Sequence, residues 1–179
     1  MTGEEKIEES RQQSRKNFSL VYNCAECVTE AVLSLVDTGL PEEVKKCATG
    51  FGGGIGLFGD TCGALAGAVM AVGAVHGRSR LPEGEGKEAV KKAAEQLYGK
   101  PGLYRLFNII PNRFHDKYGM TRCRDLTVPW QQSWLCREHA LFCRDFITDA
   151  AGIAADLVVS DREQLASGDF GRNVENLKD

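Results

Sequence analysis

The sequence predicts an all-α protein: a single-domain helical bundle in which a glycine-rich loop leads into a central buried helix. Apolar residues recur at three- and four-residue spacing over most of the chain, and alternating strand patterns are nearly absent. Gly and Pro punctuate the segments at helix-like intervals. With 179 residues, 42% of them hydrophobic and 26% charged, the chain can bury one core without disulfide staples and is too apolar to be disordered.

Residues 4–17 are polar and read as a loosely docked helix. From Cys24 to Val36 the positions Cys24, Cys27, Val28, Ala31, Val32 and Leu35 follow helical spacing, with Asn23 as N-cap. Pro41 opens a short helix through Cys47, in the N1 position that Pro favours. The run Gly50–Gly59 then feeds a helix over 61–76. Its apolar stretch Ala64–Val75 is about a dozen residues, and a membrane span needs roughly 18–20. Residues 86–98 form an amphipathic helix that Gly99 and Pro101 stop, and 101–108 and 111–118 follow as two shorter helices. Pro129 precedes the last long helix, about 134–159. The chain thus reads as a polar N-terminal helical extension (1–19), a cysteine-containing bundle (20–159) and a polar C-terminal tail (160–179).

Lys and Arg number 22 against 25 Asp and Glu, a net charge of −3, so neither a nucleic-acid partner nor a polybasic membrane surface is expected. The first 18 residues hold no apolar run of the signal-peptide kind, and a cytoplasmic location is expected. Seven cysteines, an odd number, point there to thiol redox chemistry or metal rather than structural bridges. Gly54-Ile55-Gly56-Leu57-Phe58-Gly59 satisfies G-x-G-x-x-G, but the preceding segment Glu43–Thr49 reads as helix. A dinucleotide fingerprint needs a strand there, and no Lys-Ser/Thr follows for a phosphate loop. The run is a tight turn whose glycines supply positive φ.

The cysteines fall on several inner faces. Cys62, in the first turn of helix 61–76, is expected to be the most acidic thiol, since helix N-termini favour the thiolate. Cys24 and Cys27 share an apolar face, as do Cys136, His139 and Cys143 on the last helix. Cys123 stands between Arg122 and Arg124, which also favour a thiolate. Thiols from at least four segments can therefore meet. Cys24-Ala25-Glu26-Cys27 follows no strand, so thioredoxin is unsupported. His76 and His115 read as surface or capping residues, and His139 as a core histidine. Trp130 and Trp134 can cover the cysteine site or an interface.

Asn23-Cys24-Ala25, Phe51–Gly56, Cys62–Ala68 with Gly73 beyond, Cys123–Leu126, and Cys143 within Cys143–Ala151 occur in an order that resembles the C_GCAxxG_C_C family of redox-active proteins, over residues 20 to 158. The resemblance implies that Cys24, Cys62, Cys123 and Cys143 are the family's four cysteines. The family is similar to part of split-Soret cytochrome c, a dimer with an iron–sulfur centre besides haem. No Cys-x-x-Cys-His is present here, so covalent haem is not expected. What the resemblance implies is an iron–sulfur cluster on those four thiols, 2Fe-2S ahead of 4Fe-4S, an unknown redox partner protein and a homodimer. The small face Gly63, Gly67, Ala71 and the apolar last helix also lean towards a homodimer. Cys27, Cys47 and Cys136 are additional to the family's four. Two other readings stand beside this one. In one, a cofactor-free thiol–disulfide protein uses Cys62 to attack and a neighbour to resolve. In the other, a non-catalytic module holds structural zinc on Cys136, His139, Cys143 and one further thiol.

Overall fold

A capping box starts the first helix: Thr2 Oγ1 accepts from the Glu5 amide at 3.2 Å, and the Glu5 carboxylate accepts from the Thr2 amide at 2.7 Å. That helix, α1, spans Gly3–Ser19. The computed structural model describes residues 1–176. It continues with α2 (Cys24–Leu33), a 3₁₀ stretch (Glu42–Phe51), the single turn α3 (Gly52–Ile55), α4 (Gly63–His76), α5 (Gly86–Tyr98) and α6 (Leu103–Tyr118). The single turn α7 (Cys123–Leu126), a 3₁₀ turn (Val128–Trp130), α8 (Arg137–Val159) and α9 (Arg162–Ala166) complete it. The fold is all-α. Among the described residues the only β pairing is an isolated antiparallel bridge, Thr61 to Arg122, so no strand precedes the glycine run. No helix there is long and apolar enough to cross a membrane.

The bundle is built round α4, against which α2, α6 and α8 pack. Small residues let α2 approach it backbone to backbone. A Cβ at Gly67 would stand 2.5 Å from the Ala25 carbonyl oxygen, and Thr29 Oγ1 donates to the Gly67 carbonyl at 3.3 Å. The small-residue face offered above as a dimer surface is thus filled within the chain. Val28, Val32, Val72, Leu106, Ile110, Phe114, Ile147 and Leu157 make the core, each contributing about 1.5–3 kcal/mol by burial.

Several elements differ from their sequence reading, each for a local reason. Helix α1 is firmly docked on α8 and α2, with Ser10, Ser14 and Asn17 buried. Ser10 Oγ donates to the Ala151 carbonyl at 3.2 Å and Asn17 Nδ2 to the Cys27 carbonyl at 3.4 Å, and satisfied polar atoms can be buried. Pro41 precedes a 3₁₀ run and is its cap residue, not its first helical one. The predicted pair 101–108 and 111–118 is one helix, because Pro111 removes a single amide while buried Ile110 and Phe114 anchor both halves. His76 is buried, with Nε2 2.9 Å from the Leu157 carbonyl oxygen, and so ties α4 to α8 rather than capping at the surface. The region after residue 160 carries α9, which packs on α6, and Arg105 lies 4.5 Å over the Phe170 ring.

Candidate metal centre

Asn23 sets the first thiol in place. Its side chain accepts from the Ala25 and Glu26 amides at 3.0 and 3.1 Å, and Glu26 accepts from the Asn23 amide at 2.9 Å. This capping box makes Cys24 the first residue of α2. Asn23 Nδ2 also donates to the Thr49 carbonyl at 3.0 Å, and the Thr49 hydroxyl donates to Glu26 at 2.7 Å, which pins the following chain over Cys24. The glycine turn then folds on itself. Gly59 N–H donates to Gly53 O and Asp60 N–H to Gly54 O, both at 3.1 Å. Gly54 has φ +69°, and a Cβ there would lie 2.7 Å from the Asp60 backbone and from Cys123 Cβ. Only glycine fits that crossing.

A second clamp places Cys62 beside Cys123. Cys62 N–H donates to Thr121 O at 2.9 Å, Cys123 N–H to Asp60 O at 2.7 Å, and Arg124 N–H to Gly59 O at 3.0 Å. Cys62 is the N-cap residue of α4 rather than part of its first turn, and Cys123 opens α7. Cys143 comes from α8, which begins at Arg137 after the N-cap Cys136 rather than at about residue 134.

Cys24, Cys62, Cys123 and Cys143 line one cavity of about 290 Å³, together with Cys136 and His139. Phe18, Ala64, Leu126, Phe146 and Ile147 give it apolar walls, and Tyr22, Leu57, Trp134 and Leu135 stand at its rim. Trp130 packs 4.4 Å from Phe142. Cys27 points away into the core and donates to the Tyr22 carbonyl at 3.4 Å. Cys47 is exposed, apart from the cavity.

Burial governs these thiols. It pushes Cys62 up from 9.0 to about 12, with repulsion from Cys24 adding to it. The Leu65 and Ala64 amides at the helix start pull the other way and lose. Burial likewise raises Cys123 to about 12, and raises Cys24 and Cys143. The expected acidic Cys62 is therefore overturned: taking a charge out of water costs more than a helix end returns. The arginines beside Cys123 do not rescue it either, since Arg122 Nε donates to Asp125 at 2.6 Å instead. His139 donates through Nδ1 to the Trp134 carbonyl at 2.6 Å, and its Nε2 stands 3.4 Å from Cys143 Sγ.

Among the described residues no three His, Cys, Asp or Glu side chains close on one point as a single ion requires. Four thiols, apolar walls and amides of Gly53, Ala64 and Leu65 directed at sulfur are what an iron–sulfur cluster uses. Sequence reasoning missed Asn23 as a tie to Thr49, the clamp through Asp60 and Thr121, and the orientation of His139. The Asn23-Cys24-Ala25-Glu26 box was the one signal present for the first of these.

No curated protein and no solved structure matches the chain. The family model described as "Putative redox-active protein (C_GCAxxG_C_C)" matches residues 22–157, more than half of the sequence. That span takes in the capped start of α2, the glycine turn, and every thiol and the imidazole of the cavity. By that match the chain belongs to the C_GCAxxG_C_C family of redox-active proteins.

Proposed function

We propose that the protein transfers electrons through an iron–sulfur cluster held by Cys24, Cys62, Cys123 and Cys143, 2Fe-2S ahead of 4Fe-4S. The observation that carries this is the convergence of four thiols from four separate elements on one apolar-walled cavity. Burial keeps these thiols protonated in the metal-free chain, which makes them poor nucleophiles, whereas a metal displaces the thiol proton outright. That weighs against the thiol–disulfide reading. When bound, the cluster supplies a one-electron couple at a potential set by its surroundings. Gly53, Ala64 and Leu65 turn amides towards Cys24 and Cys62, and Phe146, Ile147 and Leu126 keep water out. Tyr22, Leu57 and Leu135 are exposed at the rim and offer a redox partner protein an apolar contact close to the donors. With the α4 face filled, the same rim is an apolar surface on which a second copy can pack.

Anaerobically purified protein is expected to be coloured and to carry iron and acid-labile sulfide. The double variant Cys24→Ser/Cys62→Ser is expected to fold by circular dichroism and to be colourless. A colourless wild type that loses two free thiols on mild oxidation would move the assignment to thiol–disulfide chemistry. Zinc without iron would move it to a structural site.

A further inference from the structure

The imidazole of His139 is 7% exposed and lines the thiol cavity. Its Nδ1 lies 2.6 Å from the Trp134 carbonyl oxygen, a group that can only accept. The ring proton is therefore on Nδ1, and Nε2 carries the lone pair, which accepts from the Cys143 thiol in the metal-free protein. Trp134 packs 4.3 Å from the ring and Trp130 6.0 Å from it, which holds the ring in this orientation. A carbonyl-anchored far nitrogen, a fixed ring and a near nitrogen whose lone pair faces a cavity thiol are the marks of a metal-ligating imidazole. The distance to Cys143 adds a second mark. Bonds of about 2.3 Å to sulfur and about 2.0–2.1 Å to nitrogen place two donors on one tetrahedral metal about 3.5 Å apart. His139 Nε2 and Cys143 Sγ, one helical turn apart on α8, already stand 3.4 Å apart.

We propose that His139 Nε2 ligates the same iron as Cys143 Sγ, so that the cluster has three thiolate ligands and one imidazole. This rests on the iron–sulfur reading above and changes its ligand set, the imidazole taking the place of one of the four thiolates. Four thiols and an imidazole exceed four ligand positions, so one of Cys24, Cys62 and Cys123 stays a thiol beside the cluster. On binding, Cys143 gives to solvent the proton it donates to Nε2, whose lone pair turns to the iron, while His139 keeps its Nδ1 proton. A neutral imidazole in place of a thiolate removes one negative charge from the centre and raises its potential.

The test is pulsed electron paramagnetic resonance on the reduced protein, grown with ¹⁵N-histidine and compared with the unlabelled protein. A strongly coupled nitrogen that changes with the label is expected, and it is lost in His139→Ala. His139→Cys is expected to keep iron and sulfide and to lower the potential. Of Cys24→Ser, Cys62→Ser and Cys123→Ser, one and no more than one should retain the cluster. Iron and sulfide present without a label-sensitive nitrogen in wild type would overturn the ligand assignment and leave the iron–sulfur reading standing. No iron or sulfide in any preparation would overturn both. Should His139→Ala fail to fold, the labelled wild type decides alone.

Discussion

A Cβ at Gly63 would stand 2.4 Å from Cys24 Sγ and 2.6 Å from the Phe51 carbonyl oxygen. Gly63→Ala is therefore expected to cost about 1–3 kcal/mol and to lower the iron content, because relief of the clash moves Cys24 off the cavity. Thermal unfolding and iron analysis on one preparation check both effects. Cys143→Ser should lose the cluster and Cys47→Ser keep it, since Cys47 lies apart from the cavity. The thiols also give the metal-free protein a pH dependence. Cys62 and Cys123 titrate near 12 when folded against 9.0 ordinarily. A pKa raised by folding contributes stability that is whole below the unfolded value and lost as pH rises towards the folded one. Urea midpoints of metal-free protein should hold up to about pH 9 and fall above it. A midpoint that stayed flat from pH 8 to 11 would sink that account.

Among the elements, α2 depends on its first turn more than on its length. Asn23 satisfies two amides of α2 and reaches the Thr49 carbonyl, so it caps the helix and ties the glycine turn to it. Asn23→Ala is expected to cost about 1–2 kcal/mol, read as a lowered urea midpoint. Iron should fall with it, since Cys24 follows the cap directly. Asn23→Asp, which keeps the capping oxygen, should recover most of the stability. In the turn itself, Ile55 and Leu57 adopt left-handed backbone at φ 66° and 68°. Each costs a non-glycine residue about 1–2 kcal/mol, offset by the hydrogen bonds that close the turn.

For the molecule as a whole, the cavity opens on an apolar rim. Leu135 is 91% exposed and borders the cavity, and Val21, also 91% exposed, adjoins its neighbour Tyr22. Surface positions of this kind contribute within about 0.5 kcal/mol, so Leu135→Asp should leave stability and iron unchanged. It should slow reduction by a protein donor of the flavodoxin or ferredoxin type while leaving reduction by dithionite as it was, in stopped-flow traces. Equal slowing by both reductants would place the effect inside the site rather than at the rim.

Helical spacing fixed much of this protein from sequence: α2, α4, α5 and α8 follow from apolar periodicity, Asn23 from its capping pattern, and the rejection of a nucleotide loop from the lack of a strand before Gly54. These are local features, settled within one or two helical turns. The order of the cysteines pointed to the family whose model matches residues 22–157. Tertiary structure alone decided which thiols share the cavity. Cys24 enters it and Cys27 does not, although they stand only three positions apart on one helix; Cys123 enters through its backbone bond to Asp60 and that of Arg124 to Gly59, more than sixty residues away. It decided the acidity of Cys62 as well, because burial depends on what packs over a residue and the helix-end effect only on the turn that follows it in sequence. The direction of His139 was likewise out of reach of sequence, being set by a carbonyl and two indoles that the segment before α8 folds round it.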